Sequence, residues 1–145
     1  MEMKKQKNNT SWNLSVLYKS ALDPKIEQDI KRFEAHVTAF VKKYGSWKKE
    51  YANPKLLKRA LMDSEKLSAS PEAGRAGYYF GLRRELNAKD YEAEKKLNIL
   101  SDTLTKIGNK LIFFDLALGK LPLQAQKKLL ADKGLSKYRY SLKLL

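Results

Sequence analysis

Three prolines mark the beginnings of long amphipathic runs, and these starts constrain the fold of the chain more than any other feature. Pro24 follows Asp23, which joins an N-cap side chain to a proline at the first helical position. Pro54 follows Asn53 in the same arrangement, and Pro71 stands before a third run. Because a proline inside a helix removes a backbone hydrogen bond and clashes with the preceding turn, these positions divide this part of the chain into successive helices.

Each start is followed by apolar residues at intervals of three and four, which is typical of a helix that buries one face. Similar runs follow in the second half of the chain, and strand-like alternation of useful length is missing. We therefore expect an all-α fold, an antiparallel helical bundle or stack of helical hairpins with about five to six helices. The predicted helices run from Pro24 to a C-cap at Gly45, from Pro54 to before Ser68, from Pro71 to near Asn87, from about Asp90 to Leu118, from Leu123 to Ala131, and from Ser136 onward.

The fourth predicted helix is the longest, with an apolar stripe at near-heptad spacing from about Asp90 to Leu118. Gly119 and Pro122 follow it as stop signals. A continuous helix of this length would span about 40 to 45 Å. We expect it to form the spine of the bundle.

The length of 145 residues fits one domain, because a chain of this size can bury enough apolar surface for one continuous core. We predict a single helical domain over residues 1–145, in which the Lys- and Asn-rich residues 1–11 form a flexible arm. The apolar residues that follow the arm, beginning with Trp12, are expected to anchor this part of the chain on the helices.

Neither an export signal nor a membrane span is predicted. The amino terminus lacks the apolar segment of a signal peptide, and the longest apolar stretch, Leu111–Leu118, is short and contains Asp115. The chain has no cysteine, which excludes disulfides and thiolate chemistry and is compatible with a reducing compartment. We expect a cytoplasmic protein with no membrane partner.

The formal net charge of +14 suggests a nucleic-acid ligand, because a basic domain gains affinity when it releases counterions from phosphates. The 30 lysine and arginine residues are, however, spread evenly, with 11 in residues 1–50, 10 in residues 51–100 and 9 in residues 101–145. The basic doublets are flanked by acidic or apolar residues, unlike a surface that binds single strands. This favours a solvated surface, and no specific nucleic acid is predicted as a partner. These doublets include Lys42-Lys43, Lys48-Lys49, Arg83-Arg84, Lys95-Lys96 and Lys127-Lys128.

His36 is the only histidine of the chain, which limits the chemistry available. Neither the His-Glu-x-x-His of zinc peptidases nor the Glu-x-x-His of di-metal bundles occurs. A Gly-x-Ser-x-Gly elbow and a phosphate loop are also missing, although composition alone leaves a Ser-His-Asp arrangement open. Glu92 and Glu94 stand beside Lys95 and Lys96, where ion pairing on a polar face explains them. We assign no catalytic, cofactor-binding or metal-binding residue in this chain.

A set of tyrosines and phenylalanines could line a peptide-binding groove, since amphipathic rings contact a chain while their polar tips stay in water. Core packing is the alternative interpretation, and the pattern favours it. The residues are Tyr78, Tyr79, Tyr91, Tyr138, Tyr140, Phe113 and Phe114.

Two parts of the sequence follow the segment order of a known family. Near the amino terminus the chain reads Trp12-Asn13-Leu14-Ser15-x-Leu17-Tyr18 and then Asp23-Pro24-Lys25-Ile26-x-x-Asp29-Ile30. The last third contains Leu111-Ile112-Phe113-Phe114-Asp115-Leu116-x-Leu118, then Leu129-Leu130-Ala131-Asp132 and Leu135-Ser136-Lys137-Tyr138-Arg139-Tyr140-x-Leu142. These segments resemble the amino-terminal domain of the oligoendopeptidase F family of zinc metallopeptidases, which are relatives of thimet oligopeptidase. The resemblance covers nearly the whole chain and rests on hydrophobic patterns rather than on a catalytic motif.

The resemblance implies the role of a wall or lid. In that family the amino-terminal helical domain precedes a larger catalytic domain that carries His-Glu-x-x-His, a downstream glutamate and the zinc, and the two enclose a channel that admits short peptides. The chain ends before every zinc ligand, so no family catalytic residue is carried over and the chain alone is expected to be inactive. The last predicted helix has no stop signal after Leu142, Leu144 and Leu145, which agrees with truncation. The implied partners are a catalytic domain and a short peptide substrate.

Two other functions stay open at this point. The first is a free-standing helical module that binds a protein or peptide. The second, favoured only by charge, is a basic nucleic-acid binder.

Overall fold

The computed structural model describes residues 13–145, and the all-α fold class is confirmed. The predictions for the arm over residues 1–11 and for Trp12 lie outside the described residues. Short 3-10 turns occur at Leu14–Val16, Lys49–Ala52 and Lys133–Tyr138. The helices are α1 (Pro24–Tyr44), α2 (Pro54–Ser68), α3 (Pro71–Leu86), α4 (Tyr91–Asn109), α5 (Ile112–Gly119), α6 (Leu123–Ala131) and α7 (Arg139–Lys143).

The predicted helix starts are confirmed, with proline at the first position of α1, α2 and α3. The Asp23 side chain accepts a hydrogen bond from the Lys25 amide at 3.0 Å, and Asn53 caps α2 in the same manner. Gly45 ends α1, as predicted, in a right-handed conformation. A Cβ atom at Gly45 would lie 2.6 Å from the carbonyl oxygen of Val41, so a side chain at this position would require the backbone to shift.

The buried side chains form two clusters that share neighbours. The first cluster lies among α1, α2, α5, α6, the end of α4 and the last two 3-10 turns. The second lies among α1, α3, α4 and the segment that begins with the first 3-10 turn. Ile30 of α1 and Leu104 of α4 pack against both clusters, which joins them into one interior. The largest members of the first cluster are Phe40, Tyr44, Tyr51, Leu57 and Phe114, and those of the second are Tyr18, Tyr79, Phe80 and Leu100.

The prediction of a single long helix over residues 90–118 is wrong, because α4 and α5 are separate helices. At the break, the backbone hydrogen bonds join residues three apart, as in a 3-10 helix, instead of four apart as in an α-helix. The Lys110 amide donates to the Ile107 carbonyl at 3.1 Å, and the Leu111 amide donates to the Gly108 carbonyl at 2.9 Å.

The break follows Gly108 and Asn109, which are poor helix formers. After the break, Phe114 and Leu118 turn into the first cluster, where both are almost fully buried. The apolar stripe therefore stays on the core although the helix does not continue, so periodicity alone does not reveal the break.

The last predicted helix begins later than Ser136. Residues Lys133–Tyr138 first form a 3-10 turn, in which Asp132 accepts a hydrogen bond from the Gly134 amide at 2.8 Å. Only then does α7 begin, at Arg139. The local side-chain cap holds the tighter turn in place of an earlier α-helix.

Candidate functional site

Helix α5 has large apolar side chains on both faces, and its outer face, which also carries the exposed Asp115, is open. Phe114 and Leu118 are buried, whereas Ile112 and Leu116 are exposed by 49% and 54%. An amphipathic surface helix usually turns its large apolar side chains towards the core, so two such side chains on the outer face are unusual. Large exposed apolar patches on soluble proteins mark interaction sites. The outer face of α5 is therefore a candidate docking surface.

Two cavities that share Leu121 extend this surface from α5 to the last residues of the sequence. One cavity, of about 390 Å³, lies between Trp47 and α5 and is lined by Phe113 and Leu116. The other, of about 190 Å³, lies among α5, α6 and α7. We name this region the α5–α7 surface; its apolar residues are Trp47, Ile112, Leu116, Leu121, Leu142, Leu144 and Leu145.

Lysines surround the apolar part of the α5–α7 surface. Lys48 and Lys120 line the first cavity and Lys143 lines the second. None of the three is paired with a carboxylate of the described residues. An apolar centre with a cationic rim fits a partner whose own rim is acidic.

His36 is exposed on α1 and lines a groove of about 350 Å³ between α1 and α2. On the α2 side of this groove, Asp63 accepts hydrogen bonds from the Lys43 ammonium, at 2.7 Å, and from the Tyr44 hydroxyl. The hydrogen bond from Lys43, and then that from Tyr44, lowers the pKa of Asp63. Burial, followed by the bond to Asp63, raises the pKa of Tyr44. The three groups form a polar clasp between α1 and α2.

Asp63→Asn is expected to lower the free energy of unfolding by about 1 kcal/mol near pH 7, because the charge-assisted bonds are lost and solvent already screens part of them. The folded pKa of Asp63 lies below its ordinary value of 3.8. The clasp therefore stabilises the fold fully above that value and loses its contribution as the pH falls through the folded pKa. Urea unfolding at a series of pH values should show the two proteins converging in acid. Asp102→Asn, at an exposed position on α4, is the control; a difference for Asp63→Asn that persists unchanged into strong acid would contradict the prediction.

A buried ionic cluster fixes the first 3-10 turn to α1 and α3. Asp29 is 1% exposed and accepts a hydrogen bond from the Tyr18 hydroxyl at 2.6 Å and from the Arg75 guanidinium at 2.9 Å. Burial, and then the bond to Asp29, raises the pKa of Tyr18 far above its ordinary value. The Tyr18 ring also meets the Tyr79 ring edge to face, at 5.3 Å between centroids.

The sequence analysis did not predict this cluster. One signal was available. Asp29 lies three residues after Ile26 and four before Phe33, which places it on the apolar face of α1. A carboxylate in that register is buried and needs a partner. Arg75 as that partner depends on the packing of α3, which no local pattern shows.

The aromatic residues proposed as a peptide groove do not come together. Tyr79 belongs to the second buried cluster, and Phe114 is buried in the first. Tyr78 and Tyr91 are exposed on α3 and α4, whereas Tyr140 is exposed on α7. The set therefore divides between core packing and separate surface positions.

The acidic and basic residues of α3 and α4 pair across the hairpin. Arg83 binds Asp90 with two hydrogen bonds, at 2.9 and 3.1 Å, and Arg84 lies 3.8 Å from Glu94. Glu92 also lies 4.0 Å from Arg83, so the partners of Glu92 and Glu94 are arginines of α3. The basic doublets lie on different elements, in α1, the second 3-10 turn, α3, α4 and α6.

The zinc implied by the resemblance finds no site in this part of the protein. Among residues 13–145, no three His, Asp or Glu side chains are grouped so that they could hold a metal ion. None of the helices described is long and apolar enough to cross a bilayer.

Comparison with known proteins leaves the family open. No family model, curated protein or solved structure matches the chain.

Proposed function

We propose that this chain is the channel-wall domain of an oligoendopeptidase F-type zinc metallopeptidase, a cytoplasmic hydrolase of short peptides. In this role it binds no zinc itself and acts with a catalytic domain that holds the metal. The observation that carries the proposal is the outer face of α5, where the large apolar side chains of Ile112 and Leu116 are exposed.

The α5–α7 surface supports this role because all of its apolar residues except Trp47 lie in the last third of the chain, where the resemblance to the family is extensive. Ile112 and Leu116 belong to the matching segment Leu111–Leu118, and Leu142 ends the matching segment Leu135–Leu142. A neighbouring domain that covered these side chains would gain about 25 cal/mol for each Å² of apolar surface removed from water. The lysine rim would pair with an acidic catalytic domain, which would offset part of the net charge of +14.

If this chain acts with a catalytic domain, it should occur in its source cells as part of a larger protein or complex. An antibody against the chain should detect a polypeptide or a stable complex larger than 16.7 kDa. The immunoprecipitate should cleave quenched fluorescent short peptides, lose this activity to a chelator and regain it with zinc. A species of 16.7 kDa without chelator-sensitive cleavage would overturn the proposal.

Paired variants connect that activity to the α5–α7 surface. Ile112→Ser with Leu116→Ser should weaken the docking and lower the recovered peptidase activity, because both side chains lie on the outer face of α5. Leu22→Ser with Ile99→Ser is the matched control, since these apolar residues are 79% and 55% exposed elsewhere on the fold. Equal losses in both pairs would show that the α5 face has no special role.

The same open surface favours one second candidate, a helical module that binds a protein or peptide. This function needs no catalytic domain. A free 16.7 kDa chain that associates through the α5–α7 surface, without peptidase activity, would support it.

A further inference from the structure

A second groove, separate from the α5–α7 surface, lies between the carboxyl-terminal half of α2 and the 3-10 turn Lys133–Tyr138. Its volume is about 490 Å³. Residues of α2 form one wall, and residues Lys133–Tyr138 form the other. We name it the lysine groove.

Positive charge is in excess in the lysine groove. Its walls carry Lys58, Lys66, Lys133 and Lys137, together with a single carboxylate, Glu65. The Lys137 ammonium binds Glu65 at 2.7 Å, which satisfies that carboxylate and lowers its pKa. The other three lysines pair with no carboxylate of the described residues, so three positive charges remain for a ligand.

The groove also offers apolar contact. Met62 is 42% exposed and lines it beside Ala69. A methionine on an accessible surface adapts to partner side chains of different shape. A ligand that uses both features has to combine negative charge with apolar side chains.

The aromatic content of the groove favours a peptide over a nucleic acid. Tyr138 is the one aromatic residue of its lining. The Tyr138 hydroxyl donates to Glu65 at 2.9 Å, and the Lys137 ammonium lies 5.5 Å from the centre of the Tyr138 ring. Single-stranded nucleic acids bind by stacking successive bases on open aromatic faces, which this groove does not provide.

We propose that the lysine groove binds an acidic peptide segment with interspersed apolar residues. Its carboxylates pair with Lys58, Lys66 and Lys133, while its apolar side chains contact Met62. The lysine groove shares no lining residue with the two cavities of the α5–α7 surface, so this interaction uses other side chains than the docking of a catalytic domain.

Fluorescence anisotropy with a labelled peptide of Glu-Glu-Leu repeats tests the proposal on the 145-residue chain. The triple variant Lys58→Gln, Lys66→Gln, Lys133→Gln is expected to bind about tenfold more weakly, since each exposed ion pair contributes a fraction of a kcal/mol. The triple variant Lys25→Gln, Lys89→Gln, Lys95→Gln removes the same charge from exposed positions outside the groove and should bind within about twofold of the unmodified chain. Met62→Ser should weaken binding of this peptide more than binding of polyglutamate.

Three results would overturn the proposal. One is equal weakening in the two triple variants, which would indicate general attraction to the net charge. Another is binding of single-stranded DNA that is as tight and depends on the same three lysines, which would make the groove a polyanion site. The third is no binding at physiological salt by a chain whose circular dichroism shows it to be folded.

Discussion

Arg75→Met is expected to lower the free energy of unfolding by about 3 kcal/mol, because it leaves the Asp29 carboxylate buried without its cation. Removing one partner of a buried ion pair costs about 3 to 5 kcal/mol. The Arg75 side chain is 25% exposed, so water can reach part of the site and the lower end of this range applies. Asp29 would retain only the Tyr18 hydroxyl, since its other oxygen, Oδ1, has no hydrogen-bond partner among the described residues. Urea unfolding followed by circular dichroism measures the change.

Two further variants test whether the loss of stability is specific to the buried ion pair. Arg59→Met changes an exposed arginine on α2 and should alter stability by less than about 0.5 kcal/mol. The triple variant Tyr18→Phe, Asp29→Leu, Arg75→Met removes the whole polar cluster and should be more stable than Arg75→Met alone, because apolar groups of similar size can replace a buried ion pair at little cost. A triple variant that is less stable than the single variant would show that the cluster is stabilising in itself.

The parts of the fold that were predicted correctly are those that neighbouring residues specify. Asp23 and Pro24 define the start of α1 through one side-chain cap and one fixed backbone angle, both within two residues. The break between α4 and α5 is different. Leu111, Phe114 and Leu118 keep helical spacing across it, so a straight helix and a broken one have the same apolar pattern. Gly108 and Asn109 are the one local sign of a break. The contact of Phe114 with Phe40 of α1, at 5.4 Å between ring centroids, joins residues far apart in the sequence and is not visible in the local pattern.

The two candidate surfaces also differ in how far neighbouring residues of the sequence predict them. The outer face of α5 could have been recognised from composition, since Ile112 and Leu116 alternate with the buried Phe114. The lysine groove could not, because Lys66 and Lys133 belong to segments that meet only in the folded chain. The position of Asp29 on an apolar face predicts burial, but its partner, Arg75, is 46 residues away.

Phe114→Ala is expected to lower the free energy of unfolding by about 4 kcal/mol, the largest change predicted for this protein. Phe114 is 6% exposed, and its ring lies edge to face against Phe40 and Tyr51, at 5.4 and 5.8 Å between centroids. The Tyr51 hydroxyl donates to the Tyr44 carbonyl at 2.6 Å, which fixes the ring that Phe114 contacts. Burial raises the pKa of Tyr51 to about 12, so this tyrosine is neutral near pH 7. Removing the Phe114 ring leaves a cavity where α1, α5 and the second 3-10 turn meet. The measurement is again urea unfolding.

Leu116→Ala separates the stability of the fold from the function of the α5–α7 surface. Leu116 lies two residues after Phe114 on the same helix but is 54% exposed, so its truncation should change stability by less than about 1 kcal/mol. It removes apolar surface from the face that we propose to dock a second domain, and it should therefore weaken that association while the isolated chain stays folded. If Phe114→Ala and Leu116→Ala destabilise the chain equally, the outer face of α5 is packed in solution and cannot be the docking face. If Phe114→Ala alone is destabilising and Leu116→Ala alone weakens the recovery of peptidase activity, the two faces of α5 have separate roles in folding and in assembly.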